Sequence, residues 1–135
     1  MKNALKWIAV PFAALACSCI AGLIFKLSQW LFYGYMLPGE NPHAPITSIT
    51  HILVYLLGEF MIGVGFVYGG VLVAPNAKKI VNIILATIEV VFCILAALMS
   101  YFFTADLTLL SGLALIACAA GSICYAYYYN QEPIP

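Results

Sequence analysis

Apolar residues run along this chain in four long blocks, separated by three short polar breaks. A helix needs about 20 mostly apolar residues to cross a hydrocarbon core roughly 30 Å thick, and each block is long enough. The pattern predicts helices over residues 5–32, 49–73, 80–103 and 107–129. The breaks have local causes. Residues 38–45 carry three prolines and a glycine, which cannot continue a helix. Residues 74–79 read as a tight turn with two charges. Residues 104–106 are shorter still, with Thr104 or Asp106 placed to cap the fourth helix. Connections this short force neighbours to run in opposite directions. The expected fold is therefore all-α: one integral membrane domain over residues 1–135, a four-transmembrane-helix antiparallel bundle.

Inside the blocks, small and polar residues recur with the heptad spacing of left-handed membrane bundles. The third helix places Asn82, Ala86, Glu89, Cys93, Ala96 and Ser100 on one stripe, and the fourth places Ser111, Ala114, Cys118, Gly121 and Tyr125. The second gives Ser48, His51, Tyr55, Gly58, Ile62, Gly65 and Gly69, and the first Ala14, Cys17, Ala21 and Ser28, near a kink expected at Pro11. Gly65 and Gly69 form a Gly-x-x-x-Gly pair, which lets helix backbones approach closely, and Gly121 is the corresponding packing residue of helix four. The stripes predict a small, polar interior, with leucine, isoleucine, valine and phenylalanine facing lipid.

Composition narrows the class. Of 135 residues 65% are hydrophobic and 7% charged, against about 25% charged in a soluble domain. Such a surface cannot be kept in water, and disorder needs the opposite balance. With no arginine and no basic patch, nucleic acid is excluded as a partner. The five lysines balance five acids, and their positions set an orientation. Lys2, Lys6, Lys78 and Lys79 fall on one side of a four-pass chain, and positive charge collects on the cytoplasmic side. Both termini are thus expected inside, in the cytoplasmic membrane. Lys26 lies roughly 30 Å along helix one and is expected to snorkel to the outer headgroups. Trp7, Tyr68, Tyr125 and the run Tyr127, Tyr128, Tyr129 would mark the inner interface; Trp30, Tyr33, Tyr35 and Tyr101 would mark the outer one. Residues 14–16 have the small-x-small form of a signal-peptide cleavage site, but the apolar run continues through residues 20–25, which favours a retained span.

Little in the chain suggests catalysis. Cys17, Cys19, Cys93, Cys118 and Cys124 all fall in apolar blocks, where cysteine acts as a small hydrophobe. Cys17 and Cys19 point about 200° apart around a helix and cannot share a metal. With only His43 and His51 to add, no metal site and no cofactor is expected. Phosphate loops, nucleophile elbows and zinc-protease helices are absent from the sequence, so no enzyme is expected.

Two residues stand out. Glu59 lies about 15 Å into helix two, and Glu89 roughly 13–14 Å into helix three from the other side. In antiparallel neighbours these depths coincide near the midplane, where an ionised carboxylate costs about 2.5–3.5 kcal/mol. No other charge is expected at that depth. Such a pair can hold protons or a cation, with Tyr55 and His51 leading outward and Asn82 inward. A protonated glutamate is also an interhelical hydrogen-bond donor, worth about 0.6 kcal/mol on average, and can mark a contact with another membrane protein. The leading expectation is a non-enzymatic accessory or assembly component, embedded in the lipid bilayer. It would act through helix–helix contacts, as a homo-oligomer or beside a larger membrane-protein partner. The alternative is a small proton- or cation-coupled transporter or channel using Glu59 and Glu89.

Overall fold

The computed structural model describes residues 2–36, 49–75, 77–104 and 109–131. They form helices α1 (Lys2–Met36), α2 (Ile49–Val73), α3 (Lys78–Met99) and α4 (Leu109–Gln131), α3 running on into a π-helical turn at Ser100–Thr104. There is no strand among the described residues. Each helix carries a span long and apolar enough to cross a membrane: Leu5–Ser28, Ile52–Val73, Lys78–Phe102 and Leu109–Gln131. Helices meet the bilayer's demand that every backbone polar group be satisfied within the chain.

Boundaries differ from expectation in α1, α3 and α4, the last ending at Gln131 rather than residue 129, and the first two have physical reasons. α1 has 35 residues, about 52 Å at 1.5 Å per residue, and continues through Pro11 to Met36. Length beyond the hydrocarbon layer has no hydropathy signal to end it. Lys78 and Lys79 belong to the first turn of α3, not to the preceding turn. The chain reverses just before them, where Ala77 takes the left-handed conformation at φ 53°. Lys79 Nζ then donates to the Asn130 carbonyl at 3.1 Å, in the last turn of α4. A cation there complements the negative end of the helix dipole. The proline-rich residues 38–45, with Glu40 and His43, lie outside the described residues, as does Asp106.

α2 is central: it packs against α1, α3 and α4, while α3 also packs on α4 and, among the described residues, the α1 backbone approaches α2 alone. Glycine explains how one helix serves three neighbours. Towards α1, Gly58 meets Phe25, Gly65 meets Cys17 and Ala21, and Gly69 meets Ala13 and Cys17. A Cβ at Gly69 would stand 2.6 Å from the Ala13 carbonyl oxygen. On the adjacent face Gly63 abuts the Cys118 carbonyl, and Gly121 of α4 abuts the Phe60 carbonyl. A Cβ at either would overlap the oxygen.

The interior is less polar than the stripes predict. Val10, Ala14, Phe66, Val67, Val71, Ala74, Val81, Leu85, Ala86 and Ala126 form one buried cluster at the end where α2 turns into α3, with Tyr125 and Tyr129 packed against it. Glycines bring backbones together at the crossings, and beside each crossing the gap must be filled by larger side chains to reach interior density. The α3 stripe also drifts. Asn82, Ala86 and Cys93 are buried, but Ala96 is exposed. A straight helix departs from a seven-residue repeat by about 20° per heptad, and Ala96 is two heptads beyond Asn82.

Candidate functional site

Glu89 and Cys93 are four residues apart on α3, which sets them one above the other on the same face. Cys118 meets them from α4. Its Sγ donates to Glu89 Oε1 at 3.2 Å, and the Cys93 thiol is within hydrogen-bonding reach of Cys118. One donor atom from each of the three lies within 4.8 Å of the other two. Cys93 and Cys118 are buried and Glu89 is half-buried. Two soft sulfurs and one hard oxygen thus converge where α3 packs on α4.

Glu59 has a different setting. It follows Gly58, which faces α1, and Tyr55 one turn earlier brings its hydroxyl beside the carboxyl. The Lys26 charge also acts on Glu59. Phe25 packs on Gly58, so Lys26 and Glu59 each follow a residue of the same α1–α2 contact.

α4 serves as a ruler between the two acids. Cys118 is bonded to Glu89, while Gly63 rests on the Cys118 carbonyl and Phe60 on Gly121. Glu59 therefore lies within about one helical turn, roughly 5 Å, of the Cys118 level. Its charge reaches Cys93. The two glutamates share a level but not an environment: one is near Tyr55 at the α1–α2 seam, the other among thiols.

The remaining predicted residues are not gathered there. Asn82 is fully buried about 10 Å along α3 from Glu89, at the core end. Its Nδ2 donates to the Ala126 carbonyl at 3.0 Å and towards Asn130 Oδ1 at 3.4 Å. Its Oδ1 has no partner among the described residues. His51 lies in α2 one turn before Tyr55, and its side chain is outside the described residues. Gly65 and Gly69 sit on the α1 seam and Gly121 on the α2–α4 seam.

Sequence reasoning missed Cys93 and Cys118 as donors because each was counted with the small hydrophobes. The signal that would have found them was Glu89 and Cys93 at i,i+4, with a cysteine on the facing stripe of α4. Compared with protein-family models, curated proteins and solved structures, the chain matches none.

Proposed function

We propose that this chain is an antiparallel four-pass protein of the cytoplasmic membrane, both termini inside, that acts as a non-enzymatic accessory or assembly component through its helix faces. The seating of α1 carries this reading. Among the described residues α1 packs its backbone against α2 alone, and of its described side chains only Val10 and Ala14 are buried. Its outward face presents Leu23, Leu27 and Trp30 with the exposed Lys26 among them. A lysine on an otherwise apolar membrane helix is costly against lipid and suits a surface covered by a second copy or a larger partner.

A second reading rests on the common level of Glu59 and Glu89. Two carboxyls at one depth, with Tyr55 beside the first, fit a proton- or cation-coupled transporter or channel, with His51 and Asn82 as the outer and inner approaches. One preparation separates the readings. Photo-crosslinkers at Leu23 and Leu27 in native membranes should give a discrete higher-mass adduct, and the purified protein in liposomes should leave a pH gradient standing. No adduct, together with gradient dissipation abolished in Glu59→Gln or Glu89→Gln, would replace assembly with transport.

A further inference from the structure

The i,i+4 spacing of Glu89 and Cys93 is the arrangement by which one helix presents two ligands to a single ion, and Cys118 closes on them from α4. In a tetrahedral site with metal–sulfur bonds of about 2.3 Å and metal–oxygen bonds of about 2.0–2.2 Å, donors stand roughly 3.5–3.8 Å apart. Here the Cys118–Glu89 pair is at 3.2 Å and all three donors fall within 4.8 Å. Small side-chain rotations close the difference. We infer that Glu89, Cys93 and Cys118 form an intramembrane site for a thiolate-preferring divalent cation, of which zinc is the type.

The donor set selects the ion. Magnesium and calcium demand six or more oxygens, and this cluster offers one carboxyl. Two thiolates and a carboxylate suit the borderline-soft divalent ions. Charge selects further. With Glu89 ionised as the acceptor of the Cys118 proton, binding breaks two S–H bonds, forms two metal–sulfur bonds and one metal–oxygen bond, and releases two protons to water. The +2 of the ion is cancelled by two thiolates, so the exchange leaves the site at the single negative charge of Glu89. A monovalent ion on the same ligands would add a second negative charge, which is expensive there. The hydrogen bond prepares the geometry: the Glu89 oxygen now accepting the Cys118 proton is aimed at the space the ion would take. Three protein ligands leave the fourth tetrahedral position to water. This site goes beyond the assembly reading and does not depend on it.

The test uses the full chain purified in detergent without metal, titrated with zinc alone and, separately, with cobalt(II). Wild type should bind one zinc ion per chain and release about two protons on binding. Cobalt should give thiolate-to-metal charge-transfer absorption. Cys93→Ser and Cys118→Ser should each weaken zinc binding by at least 100-fold and abolish the cobalt band, Glu89→Gln by about 10-fold, and Cys124→Ser not at all. Circular dichroism and elution volume establish that each variant is folded, and the wild-type cobalt spectrum requires no variant. Absence of the charge-transfer band in folded wild-type protein, or zinc binding that survives the Cys93→Ser/Cys118→Ser double substitution, overturns the inference.

Discussion

At the scale of single residues, Asn82 sets the sharpest energetic question. It is wholly buried, gives one strong hydrogen bond to Ala126, and holds Oδ1 without a partner among the described residues. In a membrane interior the bond is worth about 0.6 kcal/mol on average and up to about 1.7. An unpartnered buried acceptor works against it, since it loses water and gains nothing. Asn82→Ala should therefore destabilise the bundle by about 1–2 kcal/mol, through the lost bond and the void together. Asn82→Leu keeps the branched shape and removes the orphaned oxygen, its bulkier methyls filling the void that alanine leaves, so it should be less destabilising than Asn82→Ala. Unfolding equilibria in bicelles measure both. A leucine variant less stable than the alanine variant would show that the site has no room for the larger methyls.

At the scale of helices, glycines at close crossings decide which neighbours α2 can hold. Gly63 and Gly121 each face a carbonyl of the partner helix with no room for a Cβ, whereas a Cβ at Gly112 would meet nothing within 4 Å. Gly63→Ala and Gly121→Ala should each cost about 1–3 kcal/mol through overpacking. Gly112→Ala should gain about 0.5–1 kcal/mol from helix propensity. The same unfolding assay reads all three, and equal effects at positions 63 and 112 would argue against the α2–α4 contact. The sequence already marked much of this architecture. Block length determined the four spans, because crossing a bilayer is a composition constraint. The α2 stripe through Gly58, Ile62, Gly65 and Gly69 is the face turned to α1, because small residues must lie where backbones meet. Gly63 escaped the reading because it serves the other seam, and a heptad count follows one seam at a time. Register between helices escaped the reading too: it is set by side-chain contacts such as Phe25 on Gly58, and no single-helix pattern contains them. The Cys93–Cys118–Glu89 cluster was hidden similarly, being split between the α3 and α4 stripes until the two helices met.

At the scale of the whole molecule, charge is sorted by end. Lys79 bonds to Asn130 in the last turn of α4, and Gly69 near the end of α2 packs on Ala13 near the start of α1. The start of α1, the α2–α3 turn and the end of α4 therefore share one end, which gathers Lys2, Lys6, Lys78 and Lys79. Lys26 is set apart, further along α1. Near an anionic leaflet each lysine is worth about 1 kcal/mol, so under the proposed orientation four at one end should bias that end to the cytoplasmic side. Cysteine labelling tests this in a background with Cys19 and Cys124 changed to serine. A membrane-impermeant maleimide should label Leu109→Cys in intact cells. It should reach Gln131→Cys only after permeabilisation. Changing Lys6, Lys78 and Lys79 to glutamine should remove most of the bias and bring a detectable fraction of Gln131→Cys to the outer surface. Labelling of Gln131→Cys in intact cells with all lysines present would place the lysine-bearing end outside, and orientation would then have to be set by something other than the charge that the fold collects there.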